Sequence, residues 1–285
     1  MVFVIDRGCE GVESVPAGAV SVTEEAGLTM RLLGVWRLDD GVDEVSTSST
    51  MRRLLALLAL QGPTNRFAAA SLLWPDSESR RAAGSLRELL WRTRQAHPDL
   101  IAVGRDTVAL ARAVRVDVPA LRAAVDRLRR RPAPTAELPD DFVALCTAGE
   151  LLPGWSDPWV ESEREQLRQL QQVGLELLAA HRLTQHRPDE ALPLALAAAA
   201  AEPLRESAQR MVVRAHLAMG NYSQAVTQFE RFSELLDDEL GVRPSREFAD
   251  LLRLRAVEGE DPAVVMARFT RTLDRPPALA AAVDF

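Results

Sequence analysis

Lysine is absent from this chain: all 34 of its cationic side chains are arginine. That absence excludes whole chemistries, because a phosphate-binding P-loop, a pyridoxal Schiff base and a protein-kinase nucleotide site each require a lysine. Cysteine is nearly absent as well. Cys9 and Cys146 are too few and too far apart for a disulfide framework or a thiolate metal site, which points to a reducing compartment, the cytoplasm. The four histidines, His97, His181, His186 and His216, include no HExxH pair, and no GxSxG elbow occurs. No catalytic set, metal site or cofactor site is therefore expected, and the chain is not expected to be an enzyme. Long apolar runs are also lacking. The opening MVFVID has no basic lead and runs into Arg7 and acidic residues, so it is expected to be neither signal peptide nor spanning helix; the run at 192–201 is mostly alanine and only helix-length. No membrane association is expected.

Charge is present but unevenly placed. Residues 50–115 hold 11 arginines against five Asp and Glu, a local balance of +6 that leaves −13 for the remainder of a chain whose total is −7. A basic segment within an acidic protein suits a phosphate-binding module beside a protein-binding one.

Within residues 28–45 the pattern predicts a strand to Leu38, a turn at Asp39, Asp40 and Gly41, and a second strand at 42–45. Ser48, Ser49 or Thr50 can cap a helix of body MRRLLALLAL, apolar nearly all round and stopped by Gly62 and Pro63. A second helix is predicted at about 66–73, and a third from a cap at Asp76 or Ser77 to about Ala96. In that third helix Ala83, Leu86, Leu90 and Thr93 share one stripe. On this phase Arg80, Arg81, Glu88, Trp91 and Arg92 project outward, with Arg87 and Arg94 on the flank. Arginines on an outer helix face can bind guanine edges bidentately and phosphates at the margin. A closing hairpin, 100–103 and 108–116 around Gly104–Arg105–Asp106, completes the order strands, three helices, hairpin. That order is a winged helix-turn-helix with Arg105 at the wing tip.

After a brief linker, Asp117, Val118 and Pro119, the chain reads as helical, apart from a proline-rich break at 131–139. HRLTQHRPDEALPLA from His181 aligns with AHLAMGNYSQAVTQF from Ala215 at an offset of 34 residues, pairing Leu183 with Leu217, Ala191 with Ala225 and Leu192 with Val226. Thirty-four residues is the tetratricopeptide period; Gly220, Tyr222, Ala225 and Phe229 stand at its usual intervals, and Pro203 where its terminating proline falls. The expected fold is mainly α: a winged helix (α+β) at 28–118, then an all-α tetratricopeptide-like array at 119–258, with tails at 1–27 and 259–285.

Six stretches carry a family resemblance: LLWPD (72–76), SLRELLWRTR (85–94), VRVDVPAL (114–121), LLPGWSDPWVESEREQLRQL (151–170), EPLRESAQRMVVRAHLAMGN (202–221) and ELGVRPSREFADLL (239–252). In this order they resemble the Streptomyces antibiotic regulatory protein family, whose members join an OmpR-type winged helix to a bacterial transcriptional activator domain. The pair without receiver or NTPase domain is similar to the family's short form. The resemblance implies a transcriptional activator that binds double-stranded promoter DNA at repeated sequences, leaving room for a homodimer, and recruits RNA polymerase. The DNA-contacting residues are then Arg80, Arg81, Arg87, Trp91, Arg92, Arg94 and Arg105. Three residues depart from the pattern: Thr93 stands where an apolar side chain is usual, Gly84 interrupts a helix, and Glu88 faces the phosphates. The alternative is an adaptor whose winged helix binds protein and buries Trp91 in it. A division of labour is also expected, in which truncation before Pro119 leaves a fragment that still binds DNA.

Overall fold

The structure is a computed structural model that describes residues 27–130 and 141–256. The tails beyond these limits, Cys9 and the proline-rich break at 131–139 lie outside the described residues.

Strands β1 (Thr29–Arg31) and β2 (Arg37–Asp39) pair antiparallel, with Met30 opposite Leu38 and both fully buried. The chain reverses between them at 32–36, through Gly34 at φ 75°, ahead of the turn expected at Asp39–Gly41. The reason is distant in sequence. Asp117 Oδ2 accepts the amides of Leu32 and Leu33 at 2.7 and 2.9 Å, which takes those residues out of the strand ladder. Asp40 and Gly41 do turn, with Asp40 accepting the amides of Val42 and Asp43, but only one bridge follows, Asp39 to Glu44. Helix α1 (Ser49–Gln61) is capped by Ser48, whose side chain accepts from the Met51 amide, and ends at Gly62. Leu54 to Leu60 are all buried, as a helix apolar all round requires.

Next come β3 (Thr64–Asn65), α2 (Arg66–Leu73), α3 (Ser79–Ala96), β4 (Ile101–Val103) and β5 (Thr107–Leu110). The strand expected over 108–116 is broken. It stops at Leu110, turns with the Val114 amide on Ala111 O, and resumes as β6 (Arg115–Val116), which pairs parallel with β1. The two sheets have orders β2-β1-β6 and β3-β5-β4.

No linker follows. Asp117, Val118 and Pro119 form the first turn of α4 (Asp117–Arg130). Burial pushes the Asp117 pKa up, opposed by the amides of Leu33, Leu32 and Val118 that its carboxylate accepts. The array continues with α5 (Phe142–Thr147), α6 (Pro158–Thr184), α7 (Pro188–Ala201), α8 (Glu206–Ala218), α9 (Tyr222–Leu240) and α10 (Arg246–Ala256).

The 34-residue offset is reproduced bond for bond. Helices α6 and α8 end, and α7 and α9 begin, 34 residues apart. In the first turn Gln185 N binds His181 O, His186 N binds Leu183 O and Arg187 N binds Arg182 O; in the second Met219, Gly220 and Asn221 make the same bonds to Ala215, Leu217 and His216. His186 takes the left-handed conformation that Gly220 takes, at φ 57° and 75°. Ala191 and Ala225 are both fully buried, so each helix pair closes on a side chain of one carbon.

His181 and the His216 Nδ1 atom are buried within this array, and neither Nδ1 has a hydrogen-bond partner among the described residues. Burial holds both imidazoles below their ordinary 6.5, with Arg182 adding to the effect at His181. The unfolded chain therefore takes up these protons before the folded one does. Their contribution to stability is complete above the ordinary value and is lost as pH falls through the lowered folded-state values. Melting followed by circular dichroism is expected to shift down between about pH 7.5 and pH 5.5, and a His181→Gln/His216→Gln variant to show a flatter profile. Equal pH dependence in both proteins would count against the assignment.

The two halves share one hydrophobic core, which runs from Met30 through α1 and α4 to Ala215. α1 packs on α2 and α3 and also on α4. Leu33 bridges to Leu151, Gly34 N donates to Glu150 O at 2.8 Å, Leu152 N donates to Leu32 O at 2.8 Å, and Trp36 lies 5.9 Å from Trp155. Arg53 on α1 reaches Asp157 at 2.5 Å, and Arg122 on α4 reaches Glu163 on α6 at 2.5 Å.

Candidate nucleic-acid interface

Helix α3 begins at Ser79 with Glu78 at the cap position, later than a cap at Asp76 or Ser77 allows, and follows a turn in which the Ser77 amide donates to Trp74 O. Its buried face is Ala82, Leu86, Leu89, Leu90 and Thr93. Ala83 is only half-buried, and Ala82 and Leu89 complete the stripe that the spacing of 83, 86, 90 and 93 describes in part. Arg80, Arg81, Arg87, Glu88, Trp91, Arg92 and Arg94 are all exposed, with Trp91 at 63%.

Two of the three departures from the expected pattern, Thr93 and Glu88, have a local explanation. Thr93 is fully buried, and its Oγ1 donates to Leu89 O at 2.8 Å, so the hydroxyl is satisfied within the helix and the methyl is left for the core. A Cβ on Gly84 would meet nothing within 4 Å, so packing does not require glycine there. Glu88 forms an ion pair with Arg92 one turn on. Exposed i,i+4 pairs are worth only about 0.3–0.5 kcal/mol, so this pair neutralises Glu88 and leaves Arg92 free to exchange partners.

Arg87, Trp91 and Arg94 come together in a depression of about 380 Å³, and Arg66 joins them from α2. Arg66 escapes a reading of α3 alone. It is the first residue of α2, placed by the Asn65 cap that accepts the Phe67 amide and by its own amide on Asp106 O of the wing turn. Its Nε is buried without a hydrogen-bond partner among the described residues. The only sequence signal for it is a lone arginine directly after an Asn cap. Three guanidinium groups line the depression with no carboxylate among them, a composition that suits phosphate oxygens, which accept the planar guanidinium fork.

Arg105 is exposed in the β4–β5 turn, which the Gly104 amide closes on Thr107 O at 2.9 Å. Arg80 and Arg81 lie in the first turn of α3, away from the Arg87–Arg94 depression. The candidate residues therefore fall at a depression, at the start of α3 and at the wing tip, with Arg92 apart from these on the outer face of α3 in its pair with Glu88. Among the described residues no group of three His, Cys, Asp or Glu is placed to hold a metal ion, and no helix is long and apolar enough to cross a membrane.

Comparison with known proteins places this architecture. Residues 116–254 match the family described as the bacterial transcriptional activator domain. The chain is 27% identical over 259 residues to the regulatory protein AfsR of Streptomyces coelicolor (strain ATCC BAA-471 / A3(2) / M145), an alignment covering 84% of this chain and 25% of AfsR. It thus spans about a quarter of that relative's length. EmbR of Mycobacterium tuberculosis, solved in complex with a low affinity phosphopeptide, superposes with a TM-score of 0.62 over 86% of this chain and 69% of its own, at 19% identity, a likeness of fold. A winged helix thus precedes a matched bacterial transcriptional activator domain, and the likeness to AfsR runs through both halves of the chain.

Proposed function

We propose that the chain is a sequence-specific transcriptional activator, without catalytic activity of its own, that acts in the cytoplasm on double-stranded promoter DNA. The observation that carries this reading is the exposed arginine face of α3, with Arg66, Arg87 and Arg94 converging around Trp91. The outer face of α3 enters the major groove. Arg80, Arg81 and Arg92 read base edges there, with Arg92 exchanging Glu88 for guanine, and the freed Glu88 accepts from a cytosine amino group. Arg66, Arg87 and Arg94 hold phosphates beside the groove, and Arg105 holds the backbone from the wing. Two copies on repeated promoter sequences would present two helical arrays to RNA polymerase, which the array from α4 onward recruits.

Fluorescence anisotropy with the DNA upstream of its own gene tests the reading. Affinity is expected to fall steeply with salt, as each neutralised phosphate releases counterions. Arg87→Ala and Arg94→Ala should weaken binding to every sequence, each lowering the salt slope by about 1, while Arg81→Ala should cost about 1–3 kcal/mol on the target alone. An affinity indifferent to salt would remove the DNA reading and leave the protein-binding adaptor in its place.

A further inference from the structure

A cleft of about 680 Å³ opens in the helical half between α5, the segment that follows it, α6 and α7. Its volume lies within the range of about 300–1,000 Å³ that small-molecule sites occupy. Leu151, Leu175, Ala197 and Ala201 give it an apolar wall. Gln172 also lines it, is 5% exposed, and keeps Oε1 buried without a hydrogen-bond partner among the described residues. A buried polar group left unmatched is a standing cost that a donor from a bound molecule would remove.

The charged groups of the cleft differ in what they have left to offer. Arg164 is spent: it pairs with Glu150 at 2.7 Å and donates to the carbonyls of Leu151, Leu152 and Trp155. Arg168 is held by Glu165 and Glu202. Glu161, in the first turn of α6, has no ion-pair partner among the described residues. Two acceptors, the Gln172 amide oxygen and the Glu161 carboxylate, are thus left unspent beside an apolar wall.

We propose that this cleft is an effector site for a small amphipathic amine, whose ammonium group is held by Glu161, whose second donor reaches Gln172 and whose apolar body lies on Leu175 and Ala197. The cleft shares a wall with the join to the winged helix. Glu150 O accepts the Gly34 amide, Leu151 bridges to Leu33 and Leu152 N donates to Leu32 O, while Arg164 grips the same segment from the cleft side. Occupancy therefore bears on the placement of the winged helix; this coupling rests on the DNA-binding reading above, whereas binding of the amine does not.

Tryptamine, an ammonium on an indole with an N–H donor, is a suitable probe. Its uncharged and anionic counterparts are 3-ethylindole and indole-3-propionate. Calorimetry on the full chain is expected to show saturable binding of tryptamine, roughly tenfold tighter than either counterpart, and roughly tenfold weaker binding in Glu161→Gln and in Gln172→Leu. Glu161 lies at the exposed rim, so its variant keeps the test open if the buried Gln172→Leu does not fold. Absence of saturable heat, equal binding of the propionate, or a Glu161→Gln variant that binds like the parent would each overturn the site. Saturating tryptamine is further expected to change affinity for the upstream DNA by roughly fivefold or more. Unchanged DNA affinity with the amine bound overturns the coupling; failure to bind DNA without amine overturns only the DNA reading.

Discussion

Gly34→Ala is expected to be the most damaging single-methyl change in the protein. Gly34 sits at φ 75°, and a Cβ there would lie 2.2 Å from the backbone oxygen of Ala148. Neither side can give way cheaply, since the Gly34 amide is itself bonded to Glu150 O and the next residue back bridges to Leu151. A left-handed backbone costs an L-residue about 1–2 kcal/mol, and forcing atoms into a filled space about 1–3 kcal/mol more. A loss of roughly 3–4 kcal/mol is a large share of the about 5–15 kcal/mol that holds a typical domain folded. Urea denaturation measures it directly. Gly84→Ala is the matched control: the added methyl meets open space within a helix, and a gain of about 1 kcal/mol is expected. A Gly34→Ala protein with the parent's midpoint would mean that the segment around Ala148 is not seated against this turn.

Residues 28–118 expressed alone are expected not to fold, contrary to the division of labour that the sequence invites. Helix α4 packs on α1, β1 and β6 of the winged helix, and its core residues Leu121, Val125 and Leu128 are all buried and all missing from such a fragment. Burying each is worth about 1.5–3 kcal/mol, so roughly 5–9 kcal/mol of apolar contact goes with them. That is comparable to the whole stability of a domain, about 5–15 kcal/mol. The fragment also loses the partners of Leu32 and Leu33 at Leu152 and Leu151, and leaves Asp117 outside the helix that orients its carboxylate. Circular dichroism should show no cooperative melt for 28–118, and anisotropy no specific binding, whereas residues 27–256 should melt as a unit. A fragment that melts cooperatively and binds would show that the shared core is dispensable.

Short-range chemistry explains which features could be read in advance. Helix α2 runs over the predicted residues because its cap and its end lie within ten residues of each other, and α1 begins where Ser48 can reach the Met51 amide. The 34-residue offset was legible because it is written in the turns, where the same hydrogen bonds recur. The turn at 32–36 was not, since it is imposed by Asp117 from 84 and 85 residues away. The parallel pairing of β6 with β1 is equally remote. At the candidate interface, exposure of the arginines on α3 followed from helical phase, but Arg66 enters only because tertiary folding sets the start of α2 beside Trp91. The Glu88–Arg92 pair follows from a spacing of four along one helix face, which is local enough to be read from sequence.

The absence of a linker between β6 and α4 has a geometric consequence. A DNA-reading module on a flexible tether can deliver its cargo anywhere within the tether's reach, but here one carboxylate and one continuous core fix α3 and the array to each other. With α3 seated in a groove as proposed, the array has a single bearing on the double helix, like the blade of a key rather than a flag on a rope. Sliding the binding site by half a helical turn, about five base pairs, then swings the array to the opposite side of the duplex. For this architecture the rotational phase of an operator carries as much information as its sequence.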